Sequence, residues 1–183
     1  MDHFYHALGE NWFNYAQLYS DVVAQAPQSG LFVEVGSWKG MSAAYMAVEI
    51  INSRKNIQLH CVDSWAYLKS QTDIAEEKFG DLYNTFLQNI QPVADIIKPV
   101  RAISWEAAAL YPDESVDFVF IDAAHDYEAV TKDLAAWYPK VKPAGVFAGH
   151  DYDFNSVRAA VTDFMAGRVV ESVHHCWRHT KAE

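Results

Sequence analysis

Little in this sequence suits a covalently stapled, zinc-knuckle or nucleic-acid-binding protein. Cysteine is scarce: Cys61 and Cys176 are the only two in 183 residues. With no signal-peptide pattern ahead of them, they argue against a disulfide scaffold and make a cytoplasmic location the default expectation. Neither has the spacing of a zinc ligand set. Basic clusters are missing too, since 14 Lys and Arg stand against 24 Asp and Glu for a formal charge of −10. Such a surface repels a phosphate backbone, so nucleic acid is not an expected partner. No apolar run is long enough to span a bilayer, although 51% of the residues are hydrophobic, so no membrane partner is expected. Internal repeats, low-complexity tracts and interdomain linkers are absent. What remains is one domain over residues 1–183 with a substantial core, residues 1–30 forming an N-terminal cap helix; self-association into a homodimer is left open.

The chain is organised around Leu31 to Gly40, where a short apolar run ends in Glu34 and then in Gly36 and Gly40. The run is too short for a helix and Met41 to Ile51 is Ala-rich, so strand, tight turn and helix follow in order. A loop at that junction aims backbone N–H groups and a helix N-terminus at an anionic group above the sheet. Glu34 can take an ammonium or a hydroxyl. The dinucleotide fingerprint wants small residues where Trp38 and Met41 stand, so NAD is disfavoured, and the phosphate loop of NTPases is absent. About one βαβ unit later, Ile57 to Asp63 alternates as a second strand and again ends in an acid. That is where ribose hydroxyls are commonly gripped, which makes Asp63 a ribose contact with Ser64 and Trp65 beside it. Taken alone, Asp63 also reads as a turn former or helix cap.

Ahead of this unit, His3, Phe4, Tyr5, His6, Trp12, Phe13, Tyr15 and Tyr19 crowd a segment that reads as helical from Trp12 to Ala26, stopped by Pro27. These aromatics can roof a pocket or simply pack on the sheet. Beyond Asp63, an amphipathic helix is expected over Ala75 to Ile90, then a short strand over Ala94 to Val100. Ser104 begins a helix through Leu110 and can cap it. At the C-terminus, Arg168–His174 and Cys176–Lys181 read as closing antiparallel strands, whose alternation sends His174 and His175 to opposite faces.

Chemistry concentrates later. Val116 to Ile121 is a continuous apolar strand that delivers Asp122 and His125 to its C-terminal edge, where open α/β sheets bind ligands. A helix with Val130, Leu134 and Trp137 on one face follows; Lys142 to Gly145 then turns the chain into a fifth strand, Val146 to Gly149, ending in His150 and Asp151. Two neighbouring strands thus each present an acid and a histidine at one rim. Asp122 and Asp151 can supply hard oxygen ligands to a Mg²⁺-like ion, with His150 or Asp153 completing the set. Alternatively, Asp151 caps the next helix and His150 is a hydrogen-bonded core residue.

Glu34 with Gly36-x-x-x-Gly40, an aromatic between the glycines and then Ser42 resembles the first motif of class I S-adenosyl-L-methionine (SAM) methyltransferases, the catechol and caffeoyl-CoA branch included. Ile121-Asp122-Ala123-Ala124-His125-Asp126-Tyr127, Asp133-Leu134, Trp137, the Lys142-Pro-x-Gly145 turn and Gly149-His150-Asp151-Tyr152 resemble the type 24 methyltransferase family, related to metal-dependent sugar O-methyltransferases. The likeness runs from Leu31 to Phe164. It implies a Rossmann-like three-layer α/β sandwich whose mostly parallel seven-stranded sheet has a C-terminal antiparallel strand. It also implies a SAM cofactor whose amino acid end lies on the glycine loop, Gly36, Ser37, Trp38 and Gly40, with adenine against Ser104 and Trp105 and with Glu34 and Asp122 among the cofactor-binding residues. Asp122 and Asp151 match metal-ligand positions and His125 a general base. His150 stands where the sugar enzymes tend to carry an acid.

SAM carries an activated methyl group, so catalysis amounts to aligning a nucleophile with it and removing the nucleophile's proton. A cation on the acceptor oxygen lowers its pKa and His125 can take the proton near neutral pH, with Asp126 to orient it. Trp38 or Trp65 can face the sulfonium. The expected activity is O-methylation of a small-molecule hydroxyl acceptor, sugar-like or phenolic. Two other readings fit the same rim: a metal-dependent hydroxylase of the cephalosporin-hydroxylase type and a SAM-binding accessory protein without turnover.

Overall fold

Side-chain alternation along the strands sorts the apolar residues into two separate cores, and this divides the molecule into layers. The computed structural model describes residues 1–9, 12–66 and 81–183. Its strands are β1 (Ser29–Val35), β2 (Asn56–Asp63), β3 (Ile97–Arg101), β4 (Val116–Ile121), β5 (Val141–Gly149), β6 (Glu171–Val173) and β7 (Cys176–Thr180). They form one sheet in the order β3-β2-β1-β4-β5-β7-β6. The first five pair in parallel, and β7 runs antiparallel to both β5 and β6. The expected three-layer architecture is therefore the observed one.

Helices α1 (Ala16–Gln25), α2 (Met41–Ser53) and α3 (Leu82–Ile90) cover one face. Phe32, Leu59, Cys61, Phe118 and Phe120 point into them. Helices α4 (Ser104–Ala107), α5 (Tyr127–Trp137) and α6 (Asn155–Phe164) cover the other, over Val33, Val35, Val119, Ile121 and Phe147. Phe118, Phe120, Phe147, Trp137 and Trp177 are almost wholly buried, each worth about 2–3 kcal/mol of transfer free energy before entropy is counted. Among the described residues, no helix is long and apolar enough to cross a membrane.

Four expectations shift. Helix α1 starts at Ala16 rather than Trp12 because the preceding residues are engaged in long-range contacts described below; its N-cap, Tyr15, makes no side-chain cap bond. At the other end of α1, the Lys55 ammonium donates to the carbonyls of Val23, Ala24 and Ala26 at 2.7, 2.8 and 2.7 Å, closing orphan acceptors at a helix terminus. Strand β5 starts at Val141, so the Lys142–Gly145 segment that reads as a turn lies inside it. There Ala144 takes a positive φ of 59°, its N–H donates to Lys181, and the pairing with β4 shifts register. His174 and His175 form the turn between β6 and β7 instead of extending a strand, with His174 at φ 55°, so strand alternation does not apply to them. The third strand begins at Ile97, not Ala94, and the part of the expected Ala75–Ile90 helix before Asp81 lies outside the described residues.

Candidate active site

The chain leaves β1 for β2 and β3 and then returns to place β4 on β1's other side, which opens a crevice at the sheet's C-terminal edge. The two sides of that crevice touch. Asp122 donates its backbone N–H to Val35 at 2.7 Å, and a Cβ placed on Gly36 would stand 1.9 Å from the Asp122 carbonyl oxygen. Only glycine fits, and its φ of 92° is one that side-chain-bearing residues avoid.

From Gly36 the loop climbs through Trp38, at φ 47°, to Gly40, at φ 83°, which opens α2. Its conformation is fixed from β2. Asp63 accepts from the backbone N–H of Trp38 at 2.9 Å with one oxygen and from that of Trp65 at 2.7 Å with the other. The Trp65 indole N–H in turn donates to the Trp38 carbonyl at 2.8 Å. Trp38 and Trp65 (φ 45°) are bulky residues held in the left-handed region, a strain sustained by these bonds. Trp65 is only 4% exposed and packs on Phe86 and Tyr83, which makes it a wall of the loop rather than an open face. Ser64 receives the N–H of Ala66 at its hydroxyl.

Beneath the loop, Glu34 is buried and accepts from the Tyr19 hydroxyl at 2.8 Å. Among the described residues, its other oxygen, Oε1, and the buried Ser37 hydroxyl have no hydrogen-bond partner. Ser104 does not act as a cap: Ile103 holds that position without a side-chain bond, and the Ser104 carbonyl accepts from the Trp137 indole at 3.0 Å. Trp105 has the Lys132 ammonium 5.2 Å over its ring. Asp133, in α5, is fully buried with no hydrogen-bond partner for either carboxyl oxygen among the described residues, and burial pushes its pKa up to about 6, with nearby Ser104 drawing it partly back.

At the β4–β5 rim, Asp122, His125 and Asp151 each turn a ligand-type atom to a common space, all within 4.8 Å of one another. His125 meets Asp151 at 2.8 Å, and its half-exposed ring stacks on Phe154 at 5.4 Å and 16°. The bond to Asp151 raises the His125 pKa, with burial acting against it. Asp126 does not orient this imidazole; it caps α5 by accepting from the Ala129 N–H at 2.9 Å. Asp151 sits at φ 56°, and although burial pushes its pKa upward, His125 and His150 together hold it far below the usual carboxylate range.

His150 stands behind the shared space. It is 9% exposed, with Nδ1 3.2 Å from Asp151 and 3.6 Å from Asp122 and Nε2 2.9 Å from the Asn14 side-chain oxygen. Burial alone would lower its pKa, but the two carboxylates outweigh it and hold the ring cationic to about pH 9. His150 faces both carboxylates as a counter-charge, while the ligand-type atoms that lie within 4.8 Å of one another are those of Asp122, His125 and Asp151.

A third contributor is easy to miss in the sequence. Residues 12–15 run across the crevice edge as a strap: Trp12 lies 5.7 Å from Trp38, Asn14 reaches His150, and the Tyr15 hydroxyl donates to Asp122 at 2.8 Å. Tyr19, one helical turn on, reaches Glu34. The aromatic crowd at the N-terminus was the sole signal for these contacts, and Asn14 gave none.

Comparison with known proteins matches this geometry to one family. The profile of the methyltransferase domain family, type 24, covers residues 33–152. No curated protein sequence matches the chain. Among solved structures, the O-methyltransferase NovP shares 14% identity over 92% of this chain and 79% of its own, with a TM-score of 0.69. CalS11, a TDP-rhamnose 3′-O-methyltransferase of calicheamicin biosynthesis, shares 12% over 92% and 77%, with a TM-score of 0.60. An rRNA methylase from Streptococcus thermophilus shares 9% over 95% and 100%, with a TM-score of 0.64. At such identities these neighbours speak for the fold alone. The family profile spans about two thirds of the sequence and includes both the glycine loop and the Asp122–Asp151 rim, so the chain belongs to the methyltransferase domain family, whose members take their methyl group from SAM.

Proposed function

We propose that this methyltransferase moves the SAM methyl group to a hydroxyl of a small molecule, sugar-like or phenolic, with a divalent cation of the Mg²⁺ kind at the rim. The observation that carries the proposal is the meeting of Asp122, His125 and Asp151 within 4.8 Å beside the glycine loop. Two carboxylates are hard oxygen donors, which suits such a cation. Bound there, it would supply Lewis acidity that makes a coordinated hydroxyl easier to deprotonate. The chain's own residues do the rest. The loop from Gly36 to Gly40 receives the amino acid end of SAM, and the orphaned Ser37 hydroxyl offers it a polar contact. Asp63, already fixed by two backbone N–H groups, keeps lone pairs for ribose hydroxyls. His125, half exposed and stacked on Phe154, accepts the acceptor's proton, and Asp151 steadies the resulting imidazolium. The formal charge of −10 favours a small acceptor over nucleic acid.

The test is turnover of SAM to S-adenosylhomocysteine with a panel of sugar and phenol acceptors, run with Mg²⁺ and with excess chelator. Product methylated on oxygen, formed with Mg²⁺ and lost with chelator, is expected. Turnover indifferent to chelator would remove the cation from the proposal, and methylation on nitrogen or carbon alone would remove the hydroxyl.

A further inference from the structure

The rim carries a second acid and histidine that proton transfer by His125 does not use. Asp153, two residues past Asp151, is turned to His175 of the β6–β7 turn, with Oδ2 3.3 Å from Nδ1 and both side chains about half exposed. The two turns are tied together: the Tyr152 N–H donates to the His175 carbonyl at 2.8 Å, and the His175 ring lies 6.3 Å from that of His150. Next along the chain, Phe154 is half exposed as well. Its ring stacks on His125, and its own N–H fixes its place by donating to the Asp151 carbonyl at 2.9 Å. The same segment holds the base by its backbone, with the Ser156 hydroxyl donating to the His125 carbonyl at 2.6 Å.

An acceptor whose hydroxyl reaches His125 therefore comes up against Phe154, with Asp153 one residue back along the chain. Together with His175 these side chains offer what a sugar ring needs. The negative face of an aromatic ring suits the polarised C–H groups of a pyranose. A carboxylate accepts from hydroxyls, an imidazole can donate or accept, and hydrogen bonds to a charged acceptor are among the stronger ones. An anionic acceptor fits poorly. It would meet Asp153 close to Asp151, and the guanidinium of Arg158 is engaged by Tyr152, with Nε 2.9 Å from its carbonyl and the group 5.5 Å over its ring. We infer that Phe154, Asp153 and His175 receive a neutral sugar or related polyol, its C–H face on Phe154 and the hydroxyl beside the methylated one on the Asp153–His175 pair. The inference rests on the hydroxyl-methylation reading above, selects the sugar-like acceptor over the phenolic one, and makes these three residues specificity-determining.

The test is the initial rate of SAM turnover by the full chain with Mg²⁺, on methyl glycosides of hexoses, their monodeoxy and phosphorylated forms, and simple phenols. Neutral glycosides should give the lowest KM, and loss of the hydroxyl next to the accepting one should raise it about ten- to hundredfold. Phosphorylated forms should bind more weakly than their parents. His175→Ala and Asp153→Asn should each raise the glycoside KM about tenfold against a smaller change in kcat. Neither should cost anything further on the deoxy acceptor, whose missing hydroxyl already forfeits the contact. Phe154→Ala should raise KM for every glycoside and Phe154→Trp should restore it, while SAM affinity by calorimetry stays within about twofold in each variant. Equal losses on intact and deoxy acceptors would mark the pair as structural and overturn the inference. Phenols turned over at lower KM than any glycoside, indifferent to His175→Ala, would overturn it too, and the hydroxyl reading survives either result. No turnover of any hydroxyl acceptor overturns both.

Discussion

The two halves of the crevice are built from different materials. On the β1–β2 side, geometry is carried by the backbone: Gly36 and Gly40 at positive φ, and one carboxylate, Asp63, pinning two N–H groups. On the β4–β5 side it is carried by charge, with Asp122 and Asp151 held by His125 and His150. The first half depends on shape. The second is a set of ion pairs whose partners can be exchanged, as a site that must admit an acceptor and move a proton requires. Substitutions should separate the two halves by what they abolish.

The largest effect is expected at Gly36. Gly36→Ala forces a methyl group into the Asp122 carbonyl and a residue into a left-handed φ, so SAM binding should fall below detection by calorimetry and the unfolding free energy from urea denaturation should drop by several kcal/mol. Next comes His125→Gln, which removes the base and leaves the loop alone. Its turnover should fall about 10²- to 10⁴-fold while the SAM dissociation constant stays within about twofold. A matching loss of SAM affinity would erase the distinction between the halves.

The pH response tests the charged half more gently. His150 has a folded-state pKa raised to about 9, so its ion pairs contribute stability fully present below the unfolded value near 6.5 and lost as pH rises through 9. In chelator, the wild type should therefore lose stability relative to His150→Gln across that window, read from urea midpoints at several pH values. A constant difference would mean that the ring is not cationic. The smallest effect is expected at Tyr15→Phe, which removes one hydrogen bond from the strap to Asp122: about 1 kcal/mol of stability and a few-fold change in turnover, by thermal melts and initial rates.

The same contrast decides what could be read without coordinates. Strands β1, β2 and β4 are visible as apolar runs, and each ends in the acid or glycine that marks the crevice, so sheet and rim follow from local pattern. The strap is not local. Tyr15 meets Asp122 across 107 residues and Asn14 meets His150 across 136, and no periodicity records a contact of that separation. The setting of His150 is likewise beyond local pattern: that carboxylates from the ends of two strands face one ring is visible only once β4 and β5 are paired. Lys142-Pro-Ala-Gly145 reads as a turn because both breakers are present, yet Ala144 and Gly145 exchange backbone hydrogen bonds with Lys181 and stay in the ladder.

The sheet's outer margins have a consequence for assembly. One margin is β3, which carries Pro99 between Lys98 and Arg101; the other is β6, only three residues long. Proline withholds a donor, flanking like charges repel a copy of themselves, and a stub offers too few rungs to template another ribbon. Both margins are therefore poor templates for edge-to-edge strand pairing.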